Sequence, residues 1–166
     1  MSCVDEIPVA HTPAGGLTGM PPPFLDRCEE PLPAGAPDLR GVWRTIEVRV
    51  GGTIVPDHPA LGGVQRIEQA GDRMLVTGGR VVHDMRCDGT LEHGVHDVAE
   101  IDLTTAIHVI ASFEHGVHVL RPYGLDLEVR RWLDGDHMMW QYVGFDARLE
   151  RLGPPDLDVA AIEKPA

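Results

Sequence analysis

The sequence predicts an all-β protein, an antiparallel up-and-down meander closed into a barrel of eight to ten strands behind a Pro/Gly-rich N-terminal arm. Short apolar runs are cut by turn signals at intervals of roughly ten residues from Gly41 onward, as in all-β folds. No alternation of strands with helices indicates a parallel sheet. A long meander leaves two exposed edges unless it closes on itself, and closure around a small interior cavity is therefore expected.

Three regions divide the 166 residues. Residues 1–38 form the predicted arm, because runs such as Pro21–Pro23 cannot hold a regular helix or a central strand. This arm could be disordered or ordered, since Phe24, Leu25 and Leu32 offer apolar anchors. Residues 39–153 form the predicted barrel domain. Residues 154–166 form a C-terminal tail that could contain a short helix.

The strands of the barrel can be placed from their turn signals. The strongest two-residue hairpin signal is Asp88-Gly89. In chain order, the predicted strands are Val42–Val50, Val64–Gln69, Arg73–Thr77, Arg80–Cys87, Thr90–Val98, Ile107–Phe113, Val117–Arg121, Leu127–Leu133, His137–Val143 and Arg148–Leu152.

Two hairpins supply candidate acid–base residues, because alternate side chains of a strand share a face. A turn at Asp88-Gly89 would place Asp84 opposite His93, a cross-strand pair in which the carboxylate orients the imidazole. A turn at His115-Gly116 would place His118 beside Phe113 on the most apolar face in the chain. We therefore expect the pKa of His118 to be lowered by loss of hydration.

The register of the last hairpin is ambiguous. A three-residue turn would place Arg130 opposite Trp140, with Tyr142 on the same face. A two-residue turn would shift the pairing by one residue and reverse the faces. We take Trp43, Phe113, Arg121, Trp140 and Tyr142 as candidate ligand-binding residues of the interior, and His118, His83, His93 and Asp84 as candidate catalytic residues.

Composition excludes several classes of partner. The formal net charge of −12 disfavours nucleic acids and anionic membrane surfaces. No apolar run is long enough for a membrane span, and no secretory signal is expected. Three cysteines without a framework spacing indicate a reduced, cytoplasmic protein, although Cys3 and Cys28 could pair under oxidation. The absence of Asn and the single Lys164 indicate a GC-rich bacterial source.

Five histidines fall in adjacent predicted strands: His83, His93, His96, His108 and His118. Imidazole binds Zn, Fe and Cu, so a metal site is one alternative, but we predict no metal and no cofactor. The predicted function is small-molecule binding in the cavity, with a cofactor-free isomerase, cyclase or lyase using His with Asp or Glu as acid and base. The alternatives are a non-catalytic binder of an apolar ligand and a metal- or haem-binding barrel, and a homodimer is possible.

The segment 38–43 (DLRGVW) opens the first strand with Gly-x-Trp, and the last strand carries Arg148 and Arg151. Together with the meander from 41 to 152, this resembles the calycin pattern of lipocalins and related intracellular barrels. The resemblance implies that Trp43 plugs one barrel end and that an Arg of the last strand packs across its ring. The missing secretory signal and missing usual disulfide imply a cytoplasmic form. Haem-binding relatives use a His ligand that no residue here matches.

A partial cupin resemblance is also present. Gly116, Pro122 and Gly124 match the spacing of the second cupin motif, but Leu127 stands where that motif has a metal-binding His. The first motif needs His-x-His, and the nearest pair here is His93-x-x-His96. Two of the metal ligands that the resemblance would imply are therefore unmatched.

Overall fold

A computed structural model describes residues 3–163, apart from the side chains of residues 161 and 163. The outermost residues of the predicted arm and tail, 1–2 and 164–166 with Lys164, lie outside the described residues. Two short helices, α1 (Cys3–Glu6) and α2 (Val159–Glu163), flank the strands. No helix among the described residues is long and apolar enough to cross a membrane.

The described part of the chain contains eleven strands. Ten of them correspond to the strands expected from the turn signals, although residue 90 lies outside the sixth strand and the last begins at Phe145 and not at Arg148. The short second strand was not expected. The strands are β1 (Gly41–Val50), β2 (Thr53–Ile54), β3 (Val64–Ala70), β4 (Arg73–Gly78), β5 (Val81–Arg86), β6 (Val95–Val98), β7 (Ala106–Glu114), β8 (Val117–Pro122), β9 (Val129–Asp134), β10 (His137–Tyr142) and β11 (Phe145–Gly153).

The sheet is a meander in the order β5-β4-β3-β1-β11-β10-β9-β8-β7-β6, with the short β2 paired to β1. All pairs are antiparallel. This confirms the predicted all-β antiparallel barrel, which is nearly closed and not fully closed as expected. The first strand β1 pairs with the last strand β11, and all strands belong to one continuous sheet. This differs from the double-sheet jelly roll of cupins, so the topology gives the cupin resemblance no support.

The barrel is open along one side, between β5 and β6. No ladder pairs these two strands in the described residues, and the gap is called the slit below. The predicted hairpin at Asp88-Gly89 was wrong: residues 87–94 form a loop, in which the Asp88 carboxylate accepts hydrogen bonds from the Thr90 amide (3.0 Å) and hydroxyl (2.7 Å). Such local side-chain bonds compete with a ladder. Thr90 therefore lies in a loop, and β6 begins only at Val95.

The barrel interior is packed with apolar side chains from every wall. Trp43 is buried at one end, where its Nε1 donates a hydrogen bond to the Leu39 carbonyl at 2.9 Å, and its predicted burial is confirmed. Arg151 pairs with Trp43 across β1 and β11, but its Nε donates to the Arg40 carbonyl. The predicted neighbour is therefore present, and Arg151 with Trp43 lines a cavity of about 690 Å³ at this end.

The N-terminal arm is ordered and packs on the outside of β3, β4 and β5. Its apolar contacts form a second cluster, which includes Leu25 and Cys28 from the arm and Leu75 and Val82 from the sheet. Cys3 and Cys28 form a disulfide, so the prediction of fully reduced cysteines was wrong for this pair. Their Cα atoms lie 5.8 Å apart because the arm folds back on itself, a proximity that sequence separation could not show. Cys87 is free and buried.

Candidate functional site

Three polar side chains form a row on the inner face of the barrel. His118 of β8 pairs directly with Arg131 of β9, and Arg131 pairs directly with Trp140 of β10. Phe113 of β7 continues the row, opposite His118, with the two rings 5.9 Å apart. The residues His118, Arg131 and Trp140 are called the inner row below.

The turn at Gly135-Asp136 creates this row. His137 pairs with Asp134, so the hairpin has two turn residues and not three. Trp140 consequently faces Arg131, while Arg130 lies on the outer face with its guanidinium on Glu128. The three-residue alternative placed Arg130 opposite Trp140 and missed Arg131. The two-residue alternative already implied the correct register.

Arg131 is the most unusual group in the interior, a buried cation without a bonded carboxylate. Its Nε donates to Gln65 Oε1 at 3.1 Å, and its guanidinium lies 5.1 Å from the centre of the Trp140 ring. Its Nη1 has no hydrogen-bond partner among the described residues. Burial lowers the pKa of Arg131 to about 10, against the opposing fields of Glu100 and Tyr142. Even so, the side chain stays cationic at neutral pH.

His118 is fully buried beside this cation. Its Nε2 lies 3.4 Å from the Met85 sulfur, and its Nδ1 has no partner in the described part of the chain. Burial, and then the charge of Arg131, hold the pKa of His118 well below its usual range. The predicted inward position and the predicted direction of the pKa shift are both confirmed. His118 is therefore a neutral imidazole at pH 7.

Aromatic rings continue from the inner row along the barrel. Trp140 meets Tyr142 and Phe145 edge-on, at 5.0 and 5.4 Å, and the last two rings stack at 5.5 Å. The His58 imidazole, from the segment between β2 and β3, lies 4.7 Å from Phe145. The Trp140 Nε1 is buried and has no hydrogen-bond partner in residues 3–163. The inner row therefore carries three unpartnered polar atoms, one on each strand.

His83 lies on β5, on the opposite side of the interior. Its Nε2 is 2.9 Å from the Val98 carbonyl oxygen of β6, so the imidazole bridges the slit. Because a carbonyl can only accept, Nε2 must carry the proton. Burial lowers the pKa of His83, although the Val98 carbonyl and Asp97 partly oppose it.

Three candidate residues lie away from the interior. The predicted Asp84–His93 pair does not form, because the hairpin that would align them is a loop. Asp84 binds Arg73 at 2.6 Å on the outer face, and His93 binds Asp88 at 2.6 Å at the surface. Arg121 is also on the outer face, where it binds Glu114 at 2.5 Å and Glu128 at 2.9 Å.

A cleft of about 530 Å³ lies along the slit. Arm residues such as Ala10 form one wall, and Asp84 and Asp97 line it from β5 and β6. The arm crosses the slit here, because the Ala10 amide donates to Asp84 and the Thr12 amide donates to Asp97, both at 2.9 Å. The cleft also reaches Met85, whose sulfur contacts His118. Met85 therefore borders both the cleft and the His118 end of the inner row.

Comparison with known proteins adds little to this description. No protein-family model and no curated protein matches the chain. Among solved structures, human cRBP IV superposes with a TM-score of 0.46 at 13% sequence identity, covering 69% of this chain and 98% of that chain. Similarity at this level supports no inference about what the barrel binds, so the site is interpreted from its own side chains.

Proposed function

We propose that the barrel binds a small molecule with an anionic group, which Arg131 and its neighbours in the inner row recognise. The observation that carries this proposal is the three unpartnered polar atoms on adjacent strands, Arg131 Nη1, His118 Nδ1 and Trp140 Nε1, in the described interior. A buried guanidinium costs several kcal/mol, on the order of the effective penalty for a buried ion, and the field of Glu100 offsets only part of that cost, since burial still lowers the pKa of Arg131. An anion at Arg131 would offset that cost through charge-assisted hydrogen bonds.

The remainder of the ligand should be apolar and should include a planar portion. The inner row adjoins Phe113 and the stacked rings of Tyr142 and Phe145, which favour flat partners. Met74, Met85 and Met138 belong to the same buried core, and their flexible side chains can adjust to a guest. Met85 lies between the cleft and His118, so its movement would open a path from the slit to Arg131.

Binding without chemistry is the function that the contacts support. The expected isomerase, cyclase or lyase would use His118 together with an Asp or Glu as acid and base. Among residues 3–163, the hydrogen-bonding neighbour of His118 is the Met85 sulfur, and no carboxylate contacts the ring. The carboxylate of Asp84, which we expected in the site, is committed to Arg73 on the outer face.

The proposal can be tested with two probes that differ in one charged group. The sulfonate 1-anilinonaphthalene-8-sulfonate is an anionic aromatic, and N-phenyl-1-naphthylamine is the same skeleton without the sulfonate. We expect Arg131→Gln to weaken binding of the anionic probe at least about tenfold, the scale of a lost buried charge contact, and to leave the neutral probe nearly unchanged. Fluorescence titration measures both affinities.

The matched control is Arg130→Gln, because this neighbouring guanidinium is exposed and faces outward. It should leave both affinities unchanged. Equal losses for the two probes in Arg131→Gln would contradict the proposal, because they would show a general disturbance of the interior. An unchanged affinity for the anionic probe in that variant would place anion binding elsewhere.

A further inference from the structure

A pair of histidines on the outer face of the barrel is unrelated to the inner row. His96 of β6 and His108 of β7 are direct cross-strand partners. Their Nδ1 atoms lie 2.7 Å apart, and their rings are 5.0 Å apart. Two imidazole nitrogens at this separation hold one hydrogen between them. Both rings are on the solvent side, where the inner-row function does not involve them.

The bonding of His96 fixes its tautomer. Its Nε2 lies 2.7 Å from the Leu91 carbonyl oxygen, and 3.3 Å from that of Glu92. A carbonyl only accepts, so Nε2 carries the proton and the Nδ1 lone pair points at His108. A second ring N–H held by a backbone carbonyl is the arrangement that orients a metal-ligating histidine.

We propose that His96 and His108 bind a divalent first-row transition metal ion, such as Zn²⁺, Ni²⁺ or Cu²⁺, through their Nδ1 atoms. The ion would take the position of the shared hydrogen, with His108 switching its own proton to Nε2. Tetrahedral coordination at Zn–N distances of about 2.0–2.1 Å requires the two nitrogens to be about 3.3–3.4 Å apart. The rings must therefore separate by about 0.6–0.7 Å from their present distance, which side-chain rotation at the surface can supply.

The site offers two protein ligands, and water would complete the coordination. In the described residues, the group of three or more potential ligands is Cys3, Cys28 and Glu30, and the disulfide removes both sulfurs from that group. Imidazole ligands favour Cu²⁺, Ni²⁺ and Zn²⁺ over Ca²⁺ or Mg²⁺. Binding would also join β6 more firmly to β7, because the two ligands lie on different strands of a four-residue pairing.

Isothermal titration of the full chain with Zn²⁺, and separately with Ni²⁺, tests the proposal. We expect one saturable site in the wild type and at least about tenfold weaker binding in both His96→Gln and His108→Gln. The matched controls are His137→Gln on β10 and His93→Gln in the loop before β6, and both should bind as the wild type does. Because the ions bind only the folded pair, Zn²⁺ should also raise the Tm of the wild type and of the controls, but not of the two test variants.

Each variant is first checked for an unchanged Tm without metal, which the surface position of the pair predicts. Unaltered Zn²⁺ affinity in both His96→Gln and His108→Gln would overturn the proposal. The absence of saturable binding by the wild type would overturn it equally. A loss in His93→Gln as large as in His96→Gln would also count against it, since His93 binds Asp88 and lies outside the proposed pair.

Discussion

Two regions of this barrel bury charged side chains, and they treat those charges differently. On the outer face beneath the arm, Arg73 bonds both carboxylate oxygens of Asp84, at 3.0 and 2.6 Å, and also the carbonyls of Val4, Ile7 and Pro8. On the inner face, Arg131 makes one hydrogen bond within the described residues, to Gln65. All three guanidinium nitrogens of Arg73 therefore have hydrogen-bond partners, whereas Arg131 Nη1 has none among the described residues.

We interpret this difference as one of role: the Arg73 guanidinium stabilises the fold, and the Arg131 guanidinium can bind a ligand. The arm supplies carbonyl oxygens to a second buried guanidinium of the outer face, since Arg66 donates to Pro21 and Pro22. Removing one partner from such a network leaves a buried charge uncompensated, which is costly to folding. The inner row has no comparable network in the described residues, and its unpartnered atoms are free to meet another molecule.

The largest expected effect is on the outer face. Asp84→Ala should lower the free energy of unfolding by about 3–5 kcal/mol, because it leaves Arg73 buried without its counter-charge. Urea denaturation followed by circular dichroism measures the change. Asp126→Ala, at an exposed loop position, is the control and should change stability by no more than about 0.5 kcal/mol. A loss below about 1 kcal/mol for Asp84→Ala would show that the arm does not seal this pair.

The second effect comes from the arm itself. Reduction of the Cys3–Cys28 disulfide, which spans 25 positions, should cost about 3 kcal/mol through the entropy regained by the unfolded chain. The paired variant Cys3→Ser with Cys28→Ser should reproduce this loss without a reductant, while Cys87 stays free. Urea denaturation with and without dithiothreitol measures it. If the reductant leaves the wild-type midpoint unmoved, the disulfide does not stabilise the fold.

The smallest effect belongs to His118. Its folded-state pKa lies below the ordinary value near 6.5, so the unfolded chain binds the extra proton first as the pH falls. Stability is therefore complete above about pH 6.5 and falls below it, by up to about 1.4 kcal/mol per pH unit, until the lowered folded-state pKa is reached. His118→Gln should remove this part of the slope in urea titrations between pH 7.5 and 5.5. Equal slopes in the two proteins would mean that His118 is not protected from protonation.

The fold could be predicted from the sequence because turn chemistry and strand periodicity are local. Glycine-containing turns marked the strands on either side of them, and Trp43 was correctly expected to be buried at one barrel end. The hairpin prediction after Cys87 was wrong for a local reason as well, because the Asp88 carboxylate accepts hydrogen bonds from Thr90 and the ladder ends there. The contact between Cys3 and Cys28 depends on how the arm folds over the sheet, which no local pattern encodes.

Only part of the site could be predicted from the sequence, because one of its two hairpins allowed two registers. His118 and Phe113 were expected to face inward, and they do, because the His115-Gly116 turn admits one clear register. Trp140 was a candidate ligand-binding residue, and it packs in the interior core. Arg131 was missed because the turn between β9 and β10 allowed two registers that differ by one residue, which exchanges Arg130 for Arg131. Apolar residues lie on both faces of this hairpin, so the hydrophobic pattern could not distinguish the two registers. The pairing of Asp84 with Arg73 was likewise hidden, because the arm buries a face that would otherwise meet solvent.

We propose that Arg131 binds a ligand and does not stabilise the fold. The free energy of unfolding of the variant Arg131→Met distinguishes these two roles. Methionine keeps the length and apolar contacts of the side chain and removes a buried cation whose hydrogen bond within the described residues goes to Gln65 and whose burial the field of Glu100 only partly offsets. Replacing a buried ion pair by well-packed apolar residues is often neutral or stabilising, by about 1–4 kcal/mol, and we expect the same direction for this cation. We therefore predict an unchanged or higher free energy of unfolding, together with loss of anionic probe binding. A loss of several kcal/mol in urea denaturation would contradict the account, because it would make Arg131 a structural residue like Arg73.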